Sequence, residues 1–378
     1  MKRLLRRGAA LLVLLVAAWA LIAWFDWLPR IDADQRAAVA LMQAPPRADG
    51  GPHVDAFARV WLLTREVPEA DWARLLALPA ATLVERVQQY PERASGALIE
   101  HDNQPSLAMA RSNSAPLRTA VAAAAPVLRQ RDWLYQADGI SWPLPAPEQD
   151  SFATAAVPDL GHLGRTLRQA AALAFVDGDV AGAQAQLCAS AGFWRRLVAS
   201  SDALVPRMAS MRMAEFDLRL LMQMRATTGE APPPCAVMQP ARAEELDLCP
   251  VMRTEFQQRS RFMQALFEGG DWLQRAQTRL FFHAAHTEAL EAQSLAHYCG
   301  RETASMAAAV ARCSVLERVF NPGGCIIAPI AAPAYAVYAG RVDDYASMLR
   351  EAAAVQSPRP TPTASGMASD VAAGARPQ

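Results

Sequence analysis

Residues 163–198, LGRTLRQAAALAFVDGDVAGAQAQLCASAGFWRRLV, carry the strongest fold signal in this chain. On both sides of Asp177-Gly178-Asp179, apolar residues recur at steps of three or four, the period of a helix with one buried face. Gly178 can adopt the left-handed conformation that ends one helix, and Asp179 can cap the next. The apolar positions are Leu163, Leu167, Ala171, Ala174, Val180, Ala183, Leu187, Ala191, Trp194 and Val198. This pattern predicts an antiparallel helical hairpin.

A third helix is predicted to follow the hairpin, beginning at Ser201 or Asp202. Its apolar stripes are Met208, Met211 and Leu218, and Met213, Phe216, Leu220 and Met224. Because two stripes leave little polar face, we expect this helix to be the most buried element. Elsewhere, Val, Ile and Thr do not alternate with polar residues over a strand length, so no sheet is predicted. The predicted fold class is all-α, a multi-helix body of antiparallel hairpins in a repeat-like array.

Proline spacing and composition divide the chain into parts. Residues 53–137 are predicted to form an N-terminal helical part, in which prolines separate short helices. Residues 138–158 are a Pro-rich crossing segment, and residues 159–350 form a C-terminal helical part. Residues 29–52 are predicted to be a linker with a short helix. Residues 351–378 are rich in Ser, Pro, Thr, Ala and Gly, which predicts a disordered tail.

The start of the chain has the pattern of a membrane anchor. An apolar run begins at Ala9 and, continued to Leu28, approaches the roughly 20 residues that cross a bilayer. We therefore predict one transmembrane helix at residues 9–28 and a single-pass protein of the bacterial inner membrane. The basic stub at residues 1–8 predicts a cytoplasmic N-terminus and a periplasmic body. The alternative is a cleaved signal peptide, with Ala18-Trp19-Ala20 as the cleavage site.

Six cysteines in an oxidising compartment are expected to pair at least partly. Cys235 and Cys249 bracket a Pro-rich loop, and closing a loop of about 15 residues stabilises a fold by roughly 3 kcal/mol. We predict a disulfide between these two. Three pairings stay open among the other cysteines, which are Cys188, Cys299, Cys313 and Cys325. A buried free thiol is an equal alternative for Cys188, because it lies on an apolar helix stripe.

Charge and motif content narrow the classes of function. The 37 basic and 37 acidic residues give a net charge of zero, and no basic stretch has the size of a nucleic-acid footprint, so nucleic acid is not an expected partner. The sequence contains no G-x-S-x-G, S-x-x-K, P-loop, G-x-G-x-x-G or C-x-x-C motif. This disfavours the common enzyme classes, and no catalytic residue or cofactor is predicted.

Three histidines are weak candidates for a metal site. His283, His286 and His297 fall on one predicted helix, at steps of three and eleven residues that return near the same face. The H-x-x-H spacing is not the i, i+4 arrangement of zinc-protease helices. Ordinary polar-face histidines are therefore the preferred interpretation, and no metal is predicted.

A possible binding groove is suggested by Tyr335, Tyr338, Arg341 and Asp343. Aromatic, guanidinium and carboxylate groups at this spacing could line a shallow surface site. The preferred interpretation is a helix start with local ion pairs.

The segment at residues 325–339 is apolar enough to raise the question of a second membrane contact. Pro329 and Pro333 interrupt it, and its 15 residues are short for a bilayer span. We predict a buried core segment, with membrane contact as the alternative.

Two parts of the chain resemble a group of uncharacterised proteobacterial proteins. They are residues 163–221, with the Asp-Gly-Asp turn, and the sequence Asn321-Pro322-Gly323 followed by Ala332-Pro333-x-Tyr335-x-x-Tyr338-x-x-Arg341. The resemblance covers about the second half of the chain. It implies a membrane-anchored, all-helical extracytoplasmic protein and brings no known activity.

A helical body without a catalytic motif suggests a non-catalytic protein-interaction module at the membrane. Envelope assembly, secretion and immunity against a toxin are the expected settings, with a protein partner and the membrane as binding partners. One alternative is an envelope-acting hydrolase whose site is assembled by the fold, which would require a cleft with titratable groups. Another is a lipid or small-ligand binder, which would require a pocket.

Overall fold

The computed structural model describes residues 9–11, 13–14, 16–18, 21, 31–45, 54–93, 98–101, 104–142, 157–228, 235–269, 271–299, 313–330 and 332–356. These residues are mostly helical, which confirms the all-α class. The exception is a short antiparallel ladder, in which β1 (Glu100–His101) pairs with β2 (Gln104–Pro105). The prediction of no sheet therefore missed a ladder of two residues per strand.

The helices of the N-terminal part have at most 11 residues, whereas the C-terminal part contains the longest helices, of up to 25 residues. The first group is α1 (Ala33–Gln43), α2 (Phe57–Thr64), α3 (Glu69–Leu76), α4 (Ala80–Val87), α5 (Leu107–Ser112), α6 (Ser114–Ala123), α7 (Ala125–Arg129) and α8 (Arg131–Gln136). The second group is α9 (Leu160–Val176), α10 (Val180–Ser200), α11 (Leu204–Thr228), α12 (Ala243–Leu246), α13 (Cys249–Glu268), α14 (Trp272–Phe281), α15 (Ala284–Ala296), α16 (Val315–Phe320), α17 (Pro322–Ile330) and α18 (Ala332–Gln356). A 3₁₀ turn (His297–Cys299) follows α15.

The predicted hairpin is formed by α9 and α10. Gly178 has φ 96°, and the Asp179 side chain accepts a 2.9 Å hydrogen bond from the Gly182 N–H. Both turn residues therefore act as the sequence indicates. Helix α11 packs against both helices of the hairpin and buries 15 of its 25 residues. A stripe that includes Val205 and Arg219 is exposed, and α9 buries 12 of its 17 residues, so the prediction that the third helix is the most buried element is wrong.

The short helices pack on the outer side of α9. Pro68 and Pro79 are the N-cap residues of α3 and α4, so prolines do separate the helices. Trp61 is fully buried in this part of the core. Of the predicted crossing segment, residues 138–142 belong to this packing, because the Gly139 carbonyl accepts a 2.9 Å hydrogen bond from the Ala56 N–H. Residues 143–156 lie outside the described residues.

The predicted linker contains the expected short helix, α1, but the helix is packed into the body. It lies against α13 and α15, and Met42 is fully buried there. The Arg253 guanidinium donates hydrogen bonds to the carbonyl of Leu41 at 3.0 Å and to that of Pro45 at 3.2 Å. A helix close to the start of the chain thus completes the core of the C-terminal part.

The predicted Cys235–Cys249 disulfide is wrong. Cys188 is bonded to Cys235, Cys249 to Cys299, and Cys313 to Cys325. The reason is that the start of the Pro-rich loop folds back onto α10, where Cys188 lies, whereas Cys249 begins α13 and faces the 3₁₀ turn. Cys188 is therefore not a free thiol.

Both ends of the chain fall largely outside the described residues. Helix α18 continues to Gln356, so residues 351–356 are helical where a tail was predicted, and residues 357–378 are not described. The described part of the predicted anchor is helical with exposed side chains, and the stub at residues 1–8 is not described. Across the described ranges, no helix is long and apolar enough to span a bilayer.

Candidate functional site

A cavity of about 380 Å³ lies between the end of α8, one face of α10, the end of α11 and the loop that begins at Cys235. Small-molecule sites commonly have volumes of about 300–1,000 Å³, so the size suits a small ligand. Its lining residues are Tyr135, Gln184, Ala185, Cys188, Ala189, Gly192, Arg196, Arg225, Cys235 and Val237.

The wall formed by the loop is held in place by covalent and steric features of α10. The disulfide between Cys188 and Cys235 joins the loop to the helix. A Cβ at Gly192 would lie 3.0 Å from Val237 Cγ1, so a residue without a side chain lets the loop approach closely. The Arg195 guanidinium donates hydrogen bonds to the Val237 carbonyl and, at 2.8 Å, to that of Gln239. The wall is therefore fixed before any ligand binds.

Two guanidinium groups line the cavity. Arg196 on α10 donates a 2.9 Å hydrogen bond to the Ala137 carbonyl and another hydrogen bond to the Tyr135 carbonyl, which fixes its position. Arg225 lies in the last turn of α11 and is buried, with Nη1 2.7 Å from Met238 Sδ. Burial lowers the pKa of both groups, because a charged guanidinium loses hydration there.

The polar groups of the lining favour a negatively charged ligand. Arg196, Arg225, the Gln184 amide and the Tyr135 hydroxyl can all donate hydrogen bonds. Among the lining residues that the structure describes, none is Asp, Glu or His. Guanidinium groups pair with carboxylates and phosphates through charge-assisted hydrogen bonds. The cavity is therefore chemically suited to a small anion.

A buried carboxylate lies behind the cavity wall. Asp217 on α11 is fully buried, and burial raises its pKa from 3.8 to about 6. Arg168, at 3.3 Å from Oδ1, and the donors of Ser190 and Trp194 oppose that rise. Oδ2 and those two donors are all buried without a well-formed hydrogen bond. Burial raises the pKa of Tyr135, and an interaction with the Ser190 hydroxyl opposes that rise. Because Tyr135 also lines the cavity, it links the cavity with this cluster.

The carboxylate cluster continues toward the surface through α9. The Arg168 guanidinium lies 3.6 Å from Glu100 Oε1, and Arg165 Nε lies 3.2 Å from the same oxygen. Arg168 is 1% exposed, whereas Arg165 is 27% exposed. A chain of charged groups therefore extends from the β1 strand to the interior of the packing between α9, α10 and α11.

The three histidines were predicted to be ordinary polar-face residues, but His283 and His286 are buried, and His297 lies apart from them. His283 precedes α15 and His286 lies in its first turn, with ring centroids 6.4 Å apart. His297 lies at the other end of that helix, beside Tyr298. His286 Nδ1 is 3.6 Å from Glu317 Oε1. In the part of the chain that the structure describes, no group of three His, Cys, Asp or Glu residues could hold a metal ion.

The predicted groove residues are split between core and surface. Tyr335 is 6% exposed, while Arg341 and Asp343 are exposed. The Arg341 guanidinium lies 5.8 Å from the Tyr338 ring centroid, a cation–π contact between neighbouring turns of α18. These four residues do not line the cavity.

Tyr335 instead joins a second group of titratable residues between α13, α15 and α18. The Arg259 guanidinium lies 5.7 Å from the Tyr335 ring centroid and 3.4 Å from Glu291 Oε1. Burial raises the pKa of Glu291 and of Glu255, and Arg259 opposes both shifts. The group is a helix-packing contact that shares no residue with the cavity.

The sequence did not single out Arg196, Arg225 or Asp217. A signal existed for Asp217 and Arg225, because a helix predicted to have little polar face must bury its charged residues. No such signal exists for Arg196, since Arg195 beside it has the same side chain and a different role.

No protein-family model, curated protein or solved structure matches this chain. The proteobacterial resemblance therefore stays a prediction.

Proposed function

We propose that this protein is a non-catalytic binding protein whose ligand is a small anion, held in the cavity between α10 and α11. The observation that carries the proposal is the cavity lining, with two guanidinium groups and, among its described residues, no acidic side chain. A carboxylate or phosphate would pair with the Arg196 and Arg225 guanidinium groups through charge-assisted hydrogen bonds. We favour the small-ligand alternative over the hydrolase, because the described lining contains no acidic side chain and Asp217, whose pKa is raised to about 6, lies behind the wall.

We also propose a subcellular location for the protein. Three disulfides support an oxidising compartment. With the apolar run at residues 9–28, they favour a single-pass inner-membrane protein with a cytoplasmic N-terminus and a periplasmic body. The ligand would then be a periplasmic solute or the headgroup of a lipid.

The second candidate is the protein-interaction module of envelope assembly, secretion or toxin immunity. It is favoured by exposed apolar side chains on the C-terminal helices, among them Trp272 at 74% and Val315 at 76% exposure. A crosslinked partner recovered in stoichiometric amount from the native membrane would support it.

The anion proposal is tested by thermal unfolding of the full-length protein in detergent. Inorganic phosphate, sulfate and succinate are titrated against neutral glucose at equal osmolarity. A ligand at 100 times its Kd stabilises the folded state by about 2.7 kcal/mol, so a binding anion raises Tm in a saturable manner. Glucose is expected to leave Tm unchanged.

Substitutions assign the effect to the cavity. Arg225→Gln and Arg196→Gln are expected to remove the saturable rise in Tm. The matched control is Arg219→Gln, which lies on α11 outside the cavity and pairs with Glu215 at the surface. If no anion raises Tm, or if all three variants respond like the wild type, the anion proposal is wrong.

A further inference from the structure

Helix α14 has two chemically distinct faces, yet it contributes little to the core. Trp272, Leu273 and Leu280 share one arc of the helix, and Arg275 and Arg279, three and seven residues after Trp272, border that arc on the Trp272 side. In a soluble helix the apolar side normally faces the core. Here Trp272 is 74% and Leu273 49% exposed, and none of the α14 residues whose exposure is described is buried.

Two neighbouring helices extend this exposed apolar area. Helix α17 contacts α14 and α16. The exposed apolar side chains are Trp272, Leu273 and Phe281 on α14, Val315, Leu316 and Val319 on α16, and Ile326 on α17. We call these seven residues the apolar surface. Adjoining exposed apolar side chains of this number mark a binding surface for a protein or a membrane.

The apolar surface includes α16, which lies near the start of α1, the first helix after the predicted anchor. Asp32 caps α1, and the Gln35 side chain in its first turn hydrogen bonds to Glu317 on α16. The anchor ends at Leu28, and the four residues up to Asp32 extend at most about 14 Å. The start of α1 therefore lies beside α16, which carries three residues of the apolar surface.

The charges beside the apolar surface suit an anionic bilayer. Arg275, Arg279 and Arg318 are exposed on α14 and α16. The sequences of α14 and α17 contain no Asp or Glu. An apolar arc of Trp and Leu bordered by arginines is typical of helices that lie in the membrane interface.

We propose that the apolar surface rests on the outer leaflet of the membrane that holds the anchor, with α14 lying in the interface. The proposal depends on the proposed anchor at residues 9–28. It also favours membrane contact for part of the segment at residues 325–339, which was predicted to be a buried core segment. Ile326 and Val337 are 63% and 57% exposed there, while Tyr335 is buried.

The test places a photoreactive diazirine side chain at one position at a time in the full-length protein. The protein is reconstituted in vesicles of phosphatidylethanolamine and phosphatidylglycerol. The positions are Trp272 and Leu316 in the apolar surface, Leu14 in the anchor, and the pair Val337 and Val355. Mass spectrometry then counts adducts to lipid and to protein.

Val337 and Val355 form a matched control on one helix. They are the same residue type, 57% and 53% exposed, and their separation of 18 positions corresponds to about 27 Å of α18. Lipid adducts at Trp272, Leu316 and Val337 are expected to be several-fold more abundant than at Val355.

The outcomes separate the surface from the anchor. Lipid adducts at Leu14 without adducts at Trp272 or Leu316 would leave the anchor in place and overturn the surface proposal. Adducts between two copies of the protein at Trp272 would assign the surface to self-association and also overturn it. Lipid adducts at Trp272 and Leu316 but not at Leu14 would support the surface and reject the anchor. An absence of lipid adducts at all of these positions would reject both.

Discussion

The Arg195–Glu245 and Arg168–Asp217 ion pairs are buried in the same group of helices, yet their surroundings differ. Glu245 receives hydrogen bonds from Arg195 at 2.8 Å and from Arg242 at 2.9 Å. Arg195 also donates to three carbonyls of the loop that forms the cavity wall. Nearly every polar atom of this pair has a partner.

The second pair is less completely compensated. A single 3.3 Å contact joins Arg168 to Asp217, and Asp217 Oδ2 is buried without a well-formed hydrogen bond. Burial raises the pKa of Asp217 to about 6, despite the opposing charge of Arg168. The difference suggests separate roles, with Glu245 holding the loop and Asp217 acting as a titratable group behind the cavity.

Removing the charge of Glu245 is expected to have the largest effect. Glu245→Gln leaves Arg195 and Arg242 without their carboxylate, and breaking a buried ion pair from one side costs about 3–5 kcal/mol of unfolding free energy. The measurement is chemical denaturation of the full-length protein in detergent at pH 7.5.

The neighbouring Glu244 provides the control for this prediction. Its side chain is exposed, so Glu244→Gln should change the unfolding free energy by no more than about 0.5 kcal/mol. If the two variants are equally stable, Glu245 is not the fixing point of the loop, and the contrast with Asp217 disappears.

Asp217 is expected to make stability depend on pH. Its folded-state pKa of about 6 lies above its ordinary value of 3.8, so the folded state binds the proton more tightly than the unfolded state. Stability from this group is therefore present below about pH 4 and is lost as the pH rises through about 6. At about 1.4 kcal/mol per pKa unit, the loss reaches at most about 3 kcal/mol.

The Asp217→Asn variant isolates this contribution from other titrating groups. The difference in unfolding free energy between wild type and variant is measured from pH 4 to pH 7.5 and should move against the wild type by up to about 3 kcal/mol. Parallel pH curves for the two proteins would mean that Asp217 does not titrate in this range.

The sequence predicts the parts of this molecule whose causes are local. The α9–α10 hairpin depends on apolar periodicity and on two turn residues, Gly178 and Asp179, so it was predicted correctly. The disulfide prediction failed because it considered only a nearby cysteine. Cys188 lies 47 residues before its partner, Cys235, and packing of the loop on α10 brings them together.

The cavity could not be predicted for the same reason. Arg195 and Arg196 are adjacent and identical in type, but Arg195 fixes the loop and Arg196 lines the cavity. Only the rotation of α10 against its neighbours distinguishes them. Tyr338 and Arg341 were considered for a groove because of their aromatic and guanidinium side chains, and neither lines the cavity.

The smallest expected effect concerns the link between the cavity and Asp217. Ser190 stabilises the charged form of Asp217, so Ser190→Ala should raise the pKa of Asp217 further and lower the unfolding free energy at pH 7.5 by about 1 kcal/mol. The pH-dependent loss of stability should accordingly end at a higher pH. Ser210→Ala is the matched control, because Ser210 is also buried with its hydroxyl lacking a well-formed hydrogen bond, and it does not affect the pKa of Asp217. Equal pH profiles for the two variants would show that Ser190 does not tune Asp217, leaving Arg168 as its main stabilising contact.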